Sequence, residues 1–291
     1  MKVHVVDGTY ELFRQFFARP PHANADGKEV AAARAVVRGM VSMLEDGVTH
    51  IGVATDQVIE SFRNDMFDGY KSGEGIDPVL WAQFGLLEEG LRAVGIATFG
   101  MVEFEADDAM ASIAAVAAAD SRVEKVLICT PDKDLAQCVV GDRVVQFDRR
   151  QEKMYNAEGV MEKFGVKPES IPDYLGLVGD AADGIPGLPG WGAKSTSTVL
   201  AHYTKLENIP AAAGQWEITV RSGAKLAQTL ADNTEAATLY RELAILRADA
   251  PTIESVDELR WSGPTADLDR LVKLLDAPDL INRTNKLAKA R

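Results

Sequence analysis

Five short apolar runs, spaced by amphipathic stretches, constrain this chain more than any other feature. VHVVD (3–7), HIGVATD (50–56), GIATFG (95–100), KVLICTPD (125–132) and RVVQFD (143–148) read as buried strands, and helical patterns lie between them near 29–46, 78–93 and 107–119. Strands that are apolar along their whole length are covered on both faces, and strands alternating with helices build a mainly parallel sheet in an α/β layer fold. The pattern changes after about residue 155, and from there to about 248 only helices and loops are read. GIPGLPGWGAKS (184–195) is the most punctuated segment of that half. The expected organisation is an α/β body over 1–155, a helical lobe over 156–250 and a C-terminal segment, 251–291, without an assigned role.

The length of 291 residues is ample for a core and leaves room for a smaller lobe beside the main body. No run approaches the roughly 18 apolar residues of a membrane span. MKVHVVDGTY opens like a first strand and not like a signal peptide, because Asp7 interrupts an apolar run that is already short. Two cysteines, Cys129 and Cys138, imply no disulfide framework. The expectation is a cytoplasmic protein. A net charge of −13 argues against an ordinary nucleic-acid binder, unless many of the acids gather round bound cations.

The acids fall at the strand ends. Asp7 closes the first run and Asp56 the second; Glu105, Asp107 and Asp108 follow the third, in EFEADDAMASIAAV (103–116); Asp132 and Asp134 follow the fourth. Open parallel sheets bind ligands at the carboxyl ends of their strands, so four strand ends would deliver acids to one rim. Asp180 and Asp183, in GDAADG, share one face of a helical turn at i, i+3 spacing. Any one of these groups alone has a plain explanation as a helix cap favoured by the macrodipole. Nine carboxylates on one rim do not, because like charges a few ångströms apart repel strongly or force protonation. Hard divalent cations with oxygen ligands remove the conflict. Two such ions, roughly 3.5–4 Å apart, are a common apparatus for hydrolysing phosphodiesters.

Other chemistries fit less well. His4, His22, His50 and His202 are scattered, and the cysteines stand nine apart, so a zinc site is not indicated. There is no G-x-S-x-G elbow. GLPGWGAKS (187–195) imitates a phosphate-binding loop, but Ala193 separates Gly192 from Lys194 and no strand precedes it. It reads better as a hairpin between two helices, whose glycines let a backbone approach a phosphate; a plain glycine-rich connector is the alternative.

Six segments in order carry a resemblance: VVDGTYELFRQFFARPP (5–21), SFRNDMFDGYKSG (61–73), EADDAMASIA (105–114), TPDKDLAQ (130–137), GDAADGIPGLPGWGAKS (179–195) and ELAILRAD (242–249). Together they resemble the 5′→3′ exonuclease and flap endonuclease family, which includes the N-terminal nuclease domain of bacterial DNA polymerase I. The resemblance runs from Lys2 to about Asp249, and with no polymerase segment following, the expectation is a stand-alone enzyme. It implies a PIN-like 5′ nuclease fold: a mainly parallel sheet flanked by helices, a helical arch near 61–90 and a helix–hairpin–helix lobe. It also implies a nuclease dependent on Mg²⁺ or Mn²⁺, acting on 5′ flaps and 5′ ends of DNA or of RNA/DNA hybrids in replication and repair, as a monomer and away from membranes.

Residue by residue, the resemblance implies that Asp7, Asp56, Glu105 and Asp107 hold a first metal ion. Asp132, Asp134, Asp180 and Asp183 would hold a second, with Asp107 shared and Asp108 beside them as ligand or outer partner. Arg63 and Lys71 match basic residues at the base of the arch that hold the scissile phosphate. Phe13 matches a base-stacking position, with core packing as its alternative, and Arg14 beside it a phosphate contact. Gly190, Gly192 and Lys194 match the hairpin that grips duplex phosphates through backbone N–H groups and a bound K⁺, with Arg221 and Lys225 as further local bases. Two positions depart from the pattern: Glu74 stands where an arginine is usual, and Gly184 where an asparagine is usual. The basic end NRTNKLAKAR reads as a solvated terminus, with a DNA arm or a partner tail as alternatives. Two further function classes stay open: a flap-binding protein without catalysis, and a phosphatase on a similar sheet.

Overall fold

A computed structural model describes residues 1–291. The chain forms two compact units, one of 1–59, 73–130 and 248–291, the other of 60–72 and 131–247. The first begins with β1 (Lys2–Asp7), α1 (Gly8–Ala18), α2 (Ala31–Glu45) and β2 (His50–Asp56). After α3 (Phe62–Met66), which belongs to the second unit, come α4 (Pro78–Ala93), β3 (Ala97–Met101), α5 (Ala106–Ala119) and β4 (Lys125–Cys129). These four strands run parallel in the order β3-β2-β1-β4, with Asp7 opposite Ala54 and Asp56 opposite Met101. Val3, Val5, Val6, Ile51 and Val53 are wholly buried, as strands covered on both faces require. Parallel strands put all their carboxyl ends on one edge, so the sheet itself brings Asp7, Asp56 and the β3–α5 turn to one rim.

Gly8 makes the first turn fit. A Cβ there would stand 2.7 Å from Val53 and Thr55 side-chain carbons and 2.8 Å from the Ala54 carbonyl oxygen, so only glycine lets α1 leave β1 directly against β2. Of the stretch expected to arch, residues 73–90 belong to this unit, and α4 buries Leu80, Phe84, Leu87 and Leu91 and packs on α1 and α2.

The second unit contains α3, the antiparallel pair β5 (Val144–Asp148) and β6 (Lys153–Tyr155), and the helices α6 (Ala157–Phe164), α7 (Ile171–Val178), α8 (Ala193–Tyr203), α9 (Gly223–Asp232) and α10 (Thr234–Ala244). Its core joins Val160, Ile171, Leu175, Leu177, Val199 and Leu243. Gly184, with φ +76°, sits so close to the backbone of Gly69 that a Cβ would lie 2.1 Å from its carbonyl oxygen. Glycine at this departure from the family pattern is therefore imposed by space as well as by the left-handed backbone.

The chain then returns to the first unit. α11 (Leu268–Leu274) packs on α4, and α12 (Asp279–Ala290) on α2. The basic end is not a solvated tail: Arg283 pairs with Glu45 at 2.6 Å, and the Arg291 guanidinium donates to the Leu44 and Val48 carbonyls at 2.6 and 2.8 Å. These bases answer the carbonyl end of α2, where the helix dipole favours cations.

Candidate metal centre

In the first unit Asp7 and Asp56 are held by neighbouring elements. The Asp7 carboxylate ends β1 and caps α1, accepting from the Tyr10 N–H at 2.7 Å and from the Thr130 hydroxyl, just beyond β4, at 2.9 Å. Asp56 accepts from the Ala106 N–H at 2.8 Å, at the start of α5, while its own N–H donates to the Thr9 hydroxyl at 2.8 Å. Glu105 is the N-cap of α5, and Asp107, two residues on in its first turn, is half-buried. Asp108 is fully buried, and its carboxylate accepts from the Glu105 N–H at 3.0 Å. That bond serves the start of α5.

In the second unit the carboxylate oxygens of Asp134, Asp180 and Asp183 lie within 4.8 Å of one another, and all three residues are buried. Asp132 stands next to them and accepts from the Asp134 N–H at 3.1 Å. Burial pushes the Asp134 carboxyl well above the usual carboxylate range, and the charges of Asp132, Asp183 and Asp180 push it further. Asp132 is also pushed up by burial, against the pull of its bond from Asp134. Asp134 Oδ1 is buried with no hydrogen-bond partner. Such an orphaned acceptor is costly, unless something positive shares the site.

Two lysines face this cluster. Lys71 Nζ lies 3.0 Å from Asp183 Oδ1, and its backbone N–H donates to the Asp183 carbonyl at 3.0 Å. Lys133 Nζ lies 2.6 Å from Asp180 Oδ2. Burial works against the Lys133 charge, but the contact with Asp180 outweighs it and pushes its pKa up. Lys133 was not among the expected site residues; its place between two candidate ligands in PDKD was the available signal. Nor were Thr9 and Thr130, small hydroxyls that give no signal until the strands are paired.

Arg63 is not where it was expected. It is 1% exposed, and its guanidinium donates to the Leu243 and Ile245 carbonyls at 2.8 and 2.9 Å and lies 4.6 Å over the Phe62 ring. The side chain is spent joining α3 to the end of α10 and is not displayed to a phosphate. Arg14 is committed to Glu11 one turn back. Phe13 is half-buried, with its ring edge-on to Phe84 at 6.1 Å, which is the packing alternative. Glu74 is exposed.

The hairpin lies between α7 and α8, as its spacing suggested. Trp191 is buried and donates from Nε1 to the Leu226 carbonyl at 3.2 Å, which pins the turn against α9. Gly190, Gly192, Lys194 and Arg221 line one cavity of about 590 Å³, together with Ser195 and Ser222. Lys225 projects exposed from the first turn of α9, near that rim in sequence but not among the lining residues.

Two family models match the chain, meeting between residues 165 and 166. A family model for the 5′-3′ exonuclease N-terminal resolvase-like domain matches residues 2–165, and one for the 5′-3′ exonuclease C-terminal SAM fold matches 166–267. The chain is 33% identical over 210 residues to the 5′-3′ exonuclease of Aquifex aeolicus (strain VF5), covering 71% of each. It is 35% identical over 282 residues to DNA polymerase I of Bacillus caldotenax, covering 94% of this chain and 31% of that one. The chain thus spans only about 30% of the length of the curated DNA polymerase I relatives it matches. Among solved structures, phage T5 5′-exonuclease with bound zinc superposes with a TM-score of 0.65 at 18% identity, covering 99% of both chains. The catalytic core of Rad2 in complex with DNA substrate gives 0.63 at 15% identity, covering 98% and 92%. No helix is long and apolar enough to cross a membrane.

Proposed function

We propose that this chain, which belongs to the 5′-3′ exonuclease family, is a metal-dependent nuclease hydrolysing DNA phosphodiesters at 5′ ends and 5′ flaps. The observation that carries the reading is the Asp134, Asp180 and Asp183 trio, gathered round an oxygen of Asp134 that has no partner. Its donors are all carboxylate oxygens, so Mg²⁺ or Mn²⁺ fits and a sulfur-seeking metal does not. In this reading Asp7, Asp56, Glu105 and Asp107 hold one ion, and Asp132, Asp134, Asp180 and Asp183 another. When bound, such ions would supply Lewis acidity toward water and phosphodiester oxygens.

The chain's own residues do the positioning. The Thr130 hydroxyl and the Tyr10 N–H fix the Asp7 carboxylate, and the Ala106 N–H fixes Asp56, so both ligands are oriented before any ion arrives. Lys71 and Lys133 offset the acid charge, and in this reading they would also meet a substrate phosphate. Gly190, Gly192 and Lys194, with Arg221 and Lys225, would hold the duplex through its phosphates, with K⁺ at the hairpin, which positions DNA without reading its sequence. The enzyme would act as a monomer in replication and repair.

A substrate panel tests this: a 5′-labelled flap duplex, a blunt duplex and an RNA/DNA hybrid, each with Mg²⁺, Mn²⁺ or EDTA. Cutting near the flap junction, abolished by EDTA, is expected, and product lengths then separate endonucleolytic from exonucleolytic action. Tight flap binding without any cutting would sink the catalytic reading and leave the flap-binding class; hydrolysis confined to a small phosphate ester would leave the phosphatase.

A further inference from the structure

A second polar site lies in the first unit, built by residues that the nuclease reading does not use. A cavity of about 410 Å³ opens between the end of α1 and one face of α2. Arg19, Arg34 and Arg38 line it, with His22, Gln15 and Ser42, and no acidic residue is among its lining. Three arginines converge on this hollow, and two of them are also paired with aspartates outside its lining. Arg34, Arg38 and Ser42 recur at i, i+4 and i+8 and therefore point the same way from α2. Two aspartates stand outside the lining: Asp276 meets Arg34 at 3.5 Å and His22 at 2.7 Å, and Asp279 pairs with Arg38. They tether the arginines without filling the hollow. Arg19, which follows the end of α1, has no carboxylate partner and donates only to Gln15 on that helix. Arg38 Nε is buried with no hydrogen-bond partner.

We propose that this cavity binds a terminal phosphate, the dianionic phosphomonoester carried by a mononucleotide or by a strand end. Guanidinium forks match phosphate oxygens in pairs, and a phosphomonoester offers three of them. The volume admits a mononucleotide, and the apolar wall of Pro20, Pro21 and Ala35 suits a base or sugar beside the phosphate. The site stands independently of the nuclease reading, because none of its residues is a candidate metal ligand.

The test reads binding, in EDTA, so that no divalent ion can draw phosphate to the acids. Calorimetric titration with dAMP, deoxyadenosine and inorganic phosphate should give saturable binding of dAMP, at least about tenfold tighter than of deoxyadenosine. Arg19→Ala, whose only partner lies on α1, should weaken dAMP about fivefold or more with an unchanged melting temperature. Arg34→Gln should weaken it further, and if that variant misfolds, Arg19→Ala decides alone. Oligonucleotides with a 3′ phosphate, a 5′ phosphate or neither distinguish the two sources: a phosphate-dependent gain assigns a strand end, and a gain for dAMP or inorganic phosphate alone assigns a free nucleotide. Equal affinity for dAMP and deoxyadenosine, or an unaltered Arg19→Ala, overturns the proposal.

Discussion

At the scale of single residues, burial decides what each charge can do. Asp134 is 4% exposed, with an oxygen that nothing in the chain satisfies and three carboxylates around it. Stability is given up there for a site able to take a cation. Asp134→Asn should therefore raise the melting temperature of the metal-free protein, because it removes a carboxyl whose ionised form is opposed by burial and by its neighbours; a fall by scanning calorimetry in EDTA would count against that account. Arg63 is the opposite case. Its guanidinium satisfies two backbone carbonyls from inside the second unit, and Arg63→Ala would leave both unpaired. A loss of about 2–4 kcal/mol in urea unfolding is expected, whereas a loss of activity at unchanged stability would return Arg63 to the phosphate-binding role first expected of it.

At the scale of elements, strands position and turns present. β2 carries His50, which is buried, with Arg260 nearby, and burial first and then that charge hold its pKa below the ordinary 6.5. Because the unfolded chain takes up the proton more readily, the contribution of His50 is complete above about pH 6.5 and is lost as pH falls through the lowered folded value. His50→Asn should flatten the melting temperature in that window, and an unchanged profile would place the acid sensitivity elsewhere. The same strand shows what was legible beforehand. Its unbroken apolar run announced a strand covered on both faces, and the acid at its end announced a rim. The bonds from Thr130 to Asp7 and from Ala106 to Asp56 were not legible, because they depend on which strands become neighbours. Arg63 was misread for a related reason: a sequence gives the charge of an arginine but not its depth.

At the scale of the whole molecule, the eight acids proposed as metal ligands carry a large part of the negative charge that first argued against DNA. Each unit contributes its own set: Asp7, Asp56, Glu105 and Asp107 at strand ends of the first, and Asp132, Asp134, Asp180 and Asp183 in the second. Order in the sequence exposed this arrangement because motifs recur in sequence order. The C-terminal helices escaped, since their apolar face becomes meaningful only against α2 and α4. The central claim is that these acids act by holding metal. It is tested most directly by single-turnover cleavage of a 5′-labelled flap duplex in saturating Mg²⁺, with wild type beside Asp134→Asn and melting temperatures recorded for both. The account predicts a rate lower by about a hundredfold or more in a variant at least as stable as wild type. A near-normal rate in that folded variant would contradict it.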